Sequence, residues 1–264
     1  PAGDIGDGGP MRVRVLGCGP SSGVPSIGNR WGVCDPENPK NRRRRPSILV
    51  QSGGTTVLVD TSPDLREQLL DADIHHIDAV LYTHEHADHV NGIDDLRMVQ
   101  RLVGHNIEAF AAPSALALIT NRYDYLFSGR GDVKGLYRPV IDGYEIDGPF
   151  TVGGLDIIPF EQDHGICMTL GFRFGRFAYS TDVVELPKIA FELLAGIDTW
   201  MVDCLRDGEQ HPTHANLAKT LGWIDRVQPR RAILTHMNFE ADYDKLCAAT
   251  PDGVEPAYDG MEFE

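Results

Sequence analysis

Three histidines and two acids occur within seven consecutive residues, 83–89, in the order THEHADH. On an extended segment His84 and His86 point to the same face and can bind one ion. Asp88 and His89 follow a turn and can hold a second ion. Neutral imidazole nitrogens and carboxylate oxygens are ligands of Zn²⁺ and Mn²⁺. Solvated polar loop residues are the alternative, but four potential ligands in six positions favour a metal site.

Further residues of ligand type follow apolar runs elsewhere in the chain. His164 comes shortly after the run IIPF, Asp182 after FAYS and His236 after AILT. Each lies where a predicted strand meets a loop, and this edge of a sheet is where ligands typically collect. We therefore expect the three side chains to converge with the histidine-rich segment.

Short apolar and β-branched runs predict the strands that must position these side chains. The runs lie at residues 11–16, 47–51, 55–60, 78–83, 107–111, 155–160, 169–174, 177–181, 198–203 and 231–235. Helical patterns cover residues 63–70, 88–102, 114–126, 187–194 and 213–227. Early strands are joined by hairpins and later ones alternate with helices, which favours helices packed outside two sheets over one doubly wound sheet. The polar stretch 121–147 is predicted to be a large loop or insertion that borders a substrate cleft.

The length of 264 residues and the hydrophobic content of 42% suit one large domain, which we predict to span residues 11–264. Residues 1–10 are rich in Gly, Pro and Asp and are predicted to be a disordered leader, not a signal peptide. No apolar stretch reaches the ~20 residues needed to cross a bilayer, so no membrane partner is expected. Five widely spaced cysteines without a C-x-x-C pair are typical of reduced thiols and favour a cytoplasmic location.

The formal net charge of -15 bears on the choice of partner. A nucleic-acid polymer would meet a repelling average field, so a small phosphodiester or nucleotide substrate is expected instead. The one dense basic run, from Arg42 to Arg45, either holds a substrate phosphate or forms a solvated face. The sequence leaves the oligomeric state open, and a homodimer is the commonest assembly of soluble enzymes.

The pattern T-H-x-H-x-D-H at residues 83–89, followed by His164, Asp182 and His236, resembles the metallo-β-lactamase superfamily. The resemblance implies an α/β fold, the four-layer αβ/βα sandwich, in which two mixed β-sheets are flanked by helices. It also implies two divalent metal ions, Zn or Mn, at the edge between the sheets. The implied ligands are His84, His86 and His164 for the first ion, Asp88, His89 and His236 for the second, and Asp182 as the bridge.

An aspartate at position 182 disfavours the β-lactamases themselves, which commonly have a cysteine there. The segments GCGPSSGVPSIG, NRRRRPSILV and HPTHANLAKTL resemble the phosphoribosyl cyclic phosphodiesterase branch, which is similar to the tRNA 3′-processing endonucleases. By that resemblance His214 contacts the scissile phosphate and protonates the leaving oxygen. His211 is less favoured, because a helix is predicted to begin near Thr213. The alternative is that HPTH is only a helix cap, with Thr213 as the capping residue.

The chain also departs from that branch. A cysteine cluster and a later histidine build a structural zinc site in the branch, but here only Cys34 remains and position 239 is Phe. One thiol cannot complete a four-ligand shell, so no structural zinc is predicted. The long arm that grips tRNA has no evident counterpart in the sequence either, which argues against a tRNA substrate.

The expected function is a dinuclear metal-dependent hydrolase. We expect a phosphodiesterase that cleaves a small cyclic or nucleotide-like phosphodiester through a hydroxide bridging the metals. His214 and Asp88 are the predicted catalytic residues, and Asp88 orients the nucleophile while it binds metal. Two alternatives stay open: a thioester or lactone hydrolase on the same scaffold, and a non-hydrolytic metal-bound carrier or binding protein.

Overall fold

Apolar runs form two seven-stranded sheets in the computed structural model, which describes residues 10–129 and 138–264. The first sheet contains β1 (Arg12–Gly17), β2 (Ser47–Ser52), β3 (Thr55–Val59), β4 (Ala79–Leu81), β5 (Ile107–Ala111), β6 (Ile141–Glu145) and β14 (Glu262–Phe263). Its order is β14-β1-β2-β3-β4-β5-β6. The strands from β14 to β3 pair antiparallel and those from β3 to β6 pair parallel, so the sheet is mixed.

The second sheet is mixed in the same way. It contains β7 (Phe150–Val152), β8 (Leu155–Asp163), β9 (Met168–Phe174), β10 (Phe177–Ser180), β11 (Thr199–Asp203), β12 (Arg231–Thr235) and β13 (Val254–Pro256). Its order is β13-β12-β11-β10-β9-β8-β7. Strands β7 to β10 pair antiparallel, and β10 to β13 pair parallel. Parallel neighbours end at a common edge, which is where the polar segments after β10, β11 and β12 emerge.

Helices cover the outer faces of the sheets. They are α1 (Leu65–Asp71), α2 (Ala87–Val90), α3 (Leu96–Val103), α4 (Pro113–Arg122), α5 (Asp124–Phe127), α6 (Lys188–Leu194), α7 (Leu217–Val227) and α8 (Tyr243–Ala249), with 3-10 turns at Pro39–Asn41 and Ile93–Asp95. None of the helices in the described part of the chain is long and apolar enough to span a membrane.

The layering follows from the alternation of side chains along each strand. On β2, Ile48 and Val50 pack in one hydrophobic cluster with Phe172 of the second sheet. Leu49, between them, packs in a separate cluster with Leu65 of α1. Because successive side chains point to opposite faces, β2 is buried by a sheet on one side and by helices on the other. This arrangement confirms the predicted four-layer αβ/βα sandwich.

Each of the ten predicted runs contains a strand, but several helix boundaries differ from the prediction. The predicted helix 88–102 is divided into α2, a 3-10 turn and α3. The predicted helix 213–227 begins only at Leu217, and the side chain of Asn216 caps it by accepting from the Lys219 N–H at 3.0 Å. The interpretation of Thr213 as the capping residue is therefore wrong.

The predicted loop 121–147 is also wrong in part. It contains the end of α4, the whole of α5 and strand β6, while its residues 130–137 lie outside the described residues. Strands β6, β7, β13 and β14 and helix α8 were not predicted. The predicted leader falls almost entirely on residues 1–9, which also lie outside the described part of the chain.

Candidate metal centre

Loops at the ends of four strands bring the seven predicted ligands to one place. His84 and His86 follow β4, His164 follows β8, and Asp182 and His236 follow β10 and β12. Asp88 and His89 lie in the short helix α2. The sets of residues whose ligand atoms all lie within 4.8 Å of one another are His84, His86 and His164; His84, His89 and Asp182; Asp88, Asp182 and His236; and His164, Asp182 and His214.

Asp182 lies at the centre of this cluster. Its Oδ1 lies 3.7 Å from His164 Nε2 and 4.0 Å from His84 Nε2. Its Oδ2 lies 3.0 Å from His89 Nε2 and 3.2 Å from His236 Nδ1. One oxygen thus faces the histidines implied for the first ion and the other faces those implied for the second, which is the geometry of a bridging carboxylate.

The protonation states suit divalent metal ions. Burial lowers the pKa of His84, His164 and His236, so these imidazoles stay neutral and keep a free lone pair. The buried Nε2 of His84 has no hydrogen-bond partner among the residues that the structure describes. Burial alone would raise the pKa of Asp182, but the neighbouring imidazoles of His236 and His89 hold it well below its usual range. Neutral nitrogens around an ionised carboxylate form a donor set that Zn²⁺ or Mn²⁺ fits.

Negative charge is concentrated around His89. Burial would lower the pKa of His89, but the carboxylates of Asp182, Asp88 and Asp60 outweigh it and raise that pKa well above its usual value. Burial would raise the pKa of Asp88, and His89 again outweighs it, so the pKa of Asp88 is lowered. Three carboxylates that favour a positive charge at this position also favour a bound cation.

His214, for which the resemblance implies contact with the substrate, lies at the edge of the cluster. Its Nε2 lies 4.0 Å from Asp182 Oδ1, and its Nδ1 lies 3.0 Å from Oδ2 of the buried Asp203. Its ring stacks on that of His236 with the centroids 4.7 Å apart. Burial lowers the pKa of His214, but the charge and hydrogen bond of Asp203 outweigh it and raise the pKa to about 9. Asp203 therefore favours the protonated form of the imidazole that lies beside the ligands.

The model for the β-lactamase superfamily domain matches residues 55–237, which include every predicted ligand. The chain belongs to the metallo-β-lactamase superfamily. The crystal structure of a diphosphatase from the PhnP family superimposes with a TM-score of 0.88 at 33% identity, covering 96% of both chains. This similarity and the similarity to a ribonuclease Z place the chain near the phosphodiesterase branch of the superfamily. They support a metal-dependent hydrolase.

Curated relatives give two kinds of name. An octanoyltransferase of Porphyromonas gingivalis is 32% identical over 96% of this chain, and a ribonuclease Z of Methanopyrus kandleri is 30% identical over 57% of it. The chain spans about half the length of both relatives, 51% and 47% respectively. The name ribonuclease Z agrees with the phosphodiesterase branch and the name octanoyltransferase does not, so the substrate of this chain is left to be proposed.

Two acids that support residues of the candidate site were not predicted from the sequence. Asp60 Oδ2 lies 2.7 Å from His89 Nδ1 and accepts from Thr83 Oγ1 at 2.8 Å, which fixes the orientation of the ring. Asp203 holds His214 in the same way. Both acids end predicted strands, so the rule that selected Asp182 would have found them as well.

The basic run does not contact the cluster through any hydrogen bond or ion pair found in the described residues. Arg44 and Arg45 form ion pairs with Asp71 and Asp64. The guanidinium of Arg42 lies 5.2 Å from the centre of the Trp31 ring, and Arg43 is buried. None of these contacts brings a guanidinium to the cluster, so they lend no support to a phosphate-binding role for the run.

Proposed function

We propose that this protein is a phosphodiesterase with two bound divalent ions that cleaves a small cyclic or nucleotide-like phosphodiester. The observation that carries the proposal is the Asp203–His214 pair, which presents a proton donor beside a cluster of seven metal-ligand side chains. The similarity to a PhnP-family diphosphatase over 96% of both chains supports a hydrolase that acts at phosphorus.

In this proposal His84, His86 and His164 would hold the first ion, Asp88, His89 and His236 would hold the second, and Asp182 would serve both. When bound, the two ions lower the pKa of a water molecule and offset charge on the phosphoryl oxygens. The choice between Zn²⁺ and Mn²⁺ depends on supply as well as on ligand type, because this donor set suits both.

The residues of the chain supply the remaining steps. Asp88 orients the nucleophile, since it lies at the second set of ligands and its pKa is lowered so that it stays an acceptor. His214 donates its proton to the departing alkoxide, which would otherwise leave as a strong base. Asp203 keeps the imidazole protonated and correctly oriented through the transfer.

The net charge of -15 favours a small substrate over a nucleic-acid polymer. A small diester carries few charges and is less repelled by the acidic surface than a polymer would be. A cytoplasmic location and a homodimer stay predictions of the same proposal, testable by fractionation and by light scattering.

A thioester hydrolase is the second candidate, because an octanoyltransferase is 32% identical over 96% of this chain. The thiolate released from a thioester is a good leaving group, so its cleavage needs no strong acid at position 214. The two candidates therefore differ in how much they depend on His214.

The test uses protein reconstituted separately with Zn²⁺ and with Mn²⁺, assayed on cyclic and linear nucleotide diesters, a chromogenic phosphodiester and a thioester. We expect His214→Ala to keep both metals and to lose phosphodiester turnover by about 10²–10⁴-fold. His211→Ala is the matched control, since His211 bonds Thr213 and neither Asp203 nor Asp182. Loss of metal in His214→Ala, or thioester turnover that is faster and independent of His214, would contradict the phosphodiesterase proposal.

A further inference from the structure

Arg43 carries a buried positive charge. Its exposed fraction is 2%, and no carboxylate of the described residues forms an ion pair with it. Burying a charge is costly unless the charge is paired or fully hydrogen-bonded, and the Nε of Arg43 has no hydrogen-bond partner in the described part of the chain. Such an arrangement points to a task for this side chain other than fold stability alone.

The guanidinium donates mainly to backbone carbonyls. Nη1 donates to the oxygen of Asn238 at 3.2 Å and to that of Met237 at 3.5 Å. Nη2 donates to Oδ1 of Asn41 at 3.3 Å. Cys34 Sγ lies 4.0 Å from Nη1, and burial raises the pKa of this thiol, which keeps it neutral. The guanidinium therefore hydrogen-bonds mainly to the backbone of residues 237–238.

That segment follows the predicted metal ligand His236 directly. His236 has a φ of 60°, a left-handed conformation that residues other than glycine rarely adopt. Immediately after it, the Met237 N–H donates to the Cys18 oxygen at 3.0 Å. The backbone beyond His236 is therefore held from one side by the Cys18 carbonyl and from the other by the guanidinium of Arg43.

Arg43 is itself fixed in place. Its N–H donates to the Val24 oxygen at 2.8 Å, and the Val24 N–H donates back at 2.9 Å. Asn41, which accepts from the guanidinium, also accepts from the Tyr243 N–H at 2.8 Å and donates to Asp242 Oδ2 at 2.7 Å. The polar network thus joins the loop before β2 to the start of α8, across the segment that carries His236.

We propose that Arg43 is a positioning residue for the second metal ion: its buried guanidinium holds carbonyls 237 and 238 and thereby keeps His236 in its strained, ligand-presenting conformation. This inference rests on the proposed dinuclear site. It concerns only the second ion, because the guanidinium makes no hydrogen bond to the segments that carry His84, His86 and His164.

The test compares Arg43→Met with Arg44→Met. Metal-free protein is titrated with Zn²⁺ and Mn²⁺ by calorimetry, the metal content is measured by elemental analysis, and the melting temperature is followed. In Arg43→Met we expect the affinity for the second ion to fall about 10–100-fold while the first is unchanged. The melting temperature of the metal-free protein should change little, because methionine replaces a buried charge with an apolar chain. Arg44→Met should behave as the wild type, because Arg44 pairs with Asp71 at the surface.

Chemical rescue separates positioning from a general structural role. Guanidinium ion at millimolar concentration should restore the second ion to Arg43→Ala, as it can occupy the vacated cavity. If Arg43→Met does not fold, Arg43→Lys keeps the charge without the forked donors and should show the same selective loss.

Unchanged affinity for both ions in Arg43→Met, or equal loss of both ions without rescue, would overturn the inference. A wild-type protein that binds fewer than two ions would instead contradict the proposed function, which the titration of the unmodified chain detects separately.

Discussion

Backbone strain marks the candidate site at the level of single residues. Asp60, Asp182 and His236 have φ values of 64°, 53° and 60°, although none is glycine. Such conformations cost about 1–3 kcal/mol each and persist where the surrounding contacts over-determine them. All three residues follow the ends of strands and are buried. Of the six described residues other than glycine with such a φ, three therefore lie at the candidate site and three lie elsewhere.

Asp203→Asn tests whether the acid behind His214 has a role in turnover. Asparagine keeps the size of the side chain but removes the charge that favours the imidazolium, so we expect kcat to fall about 10–100-fold. The metal content should stay unchanged, because Asp203 contacts His214 and the Val183 N–H and belongs to none of the ligand sets. The exposed Asp207→Asn is the control. A kcat within about twofold of the wild type would show that His214 acts without this support.

The sequence predicted which residue types collect at the site, but not which acid plays which part. Asp182, Asp60 and Asp203 all follow apolar runs of similar composition. The direction of the side chain decides the role of each carboxylate. The carboxylate either lies among the ligand atoms or hydrogen-bonds the outer ring nitrogen of a histidine at the site. That direction is set by the register and the backbone angles at the strand end, which the residue pattern does not contain.

At the scale of elements, the predicted strands differ from the missed ones in how many of their residues are buried. The central strands are continuous apolar runs, such as TTVLV in β3, all of whose residues are buried. In β6, at the edge of its sheet, only the first of the residues IDGYE is buried, so the run lacks the apolar signal. An edge strand such as β6 is stabilised mainly by hydrogen bonds to its neighbouring strand and buries few apolar side chains of its own.

Two glycines give opposite predictions for the stability of elements. A Cβ at Gly92, which separates α2 from the following 3-10 turn, would lie 2.0 Å from the Ser62 oxygen and 2.8 Å from the Leu65 Cβ. We expect Gly92→Ala to lower the free energy of unfolding by about 1–3 kcal/mol, because the helix that carries Asp88 and His89 must shift.

Gly222 is the matched control. It lies inside α7, and a Cβ there would meet nothing within 4 Å. Gly222→Ala should raise the free energy of unfolding by about 0.5–1 kcal/mol, because alanine is the better helix former. Urea unfolding measures both variants, and a Gly92→Ala protein as stable as the wild type would show that α2 can move freely.

At the scale of the whole molecule, the site joins the two sheets. His84, His86, Asp88 and His89 extend from the first sheet, and His164, Asp182 and His236 extend from the second. The large hydrophobic cluster between the sheets holds the same halves together from within, through residues such as Ile48 and Phe172. Bound ions would therefore act as a second connection at the edge, and they would stabilise the folded protein because the unfolded chain has no such site.

Removal of metal should consequently destabilise the whole molecule. An ion present at about 100 times its dissociation constant adds about 2.7 kcal/mol, which corresponds to about 5–10 °C in the melting temperature of a chain of this size. We expect a chelator to lower the melting temperature by at least this amount, and added Zn²⁺ or Mn²⁺ to restore it. Asp182→Ala, which lacks the carboxylate between the two ligand sets, should melt at a lower temperature and respond much less to the chelator. Calorimetry with parallel elemental analysis measures both quantities, and complete loss of metal without any change in melting would contradict a role for the ions in joining the two sheets.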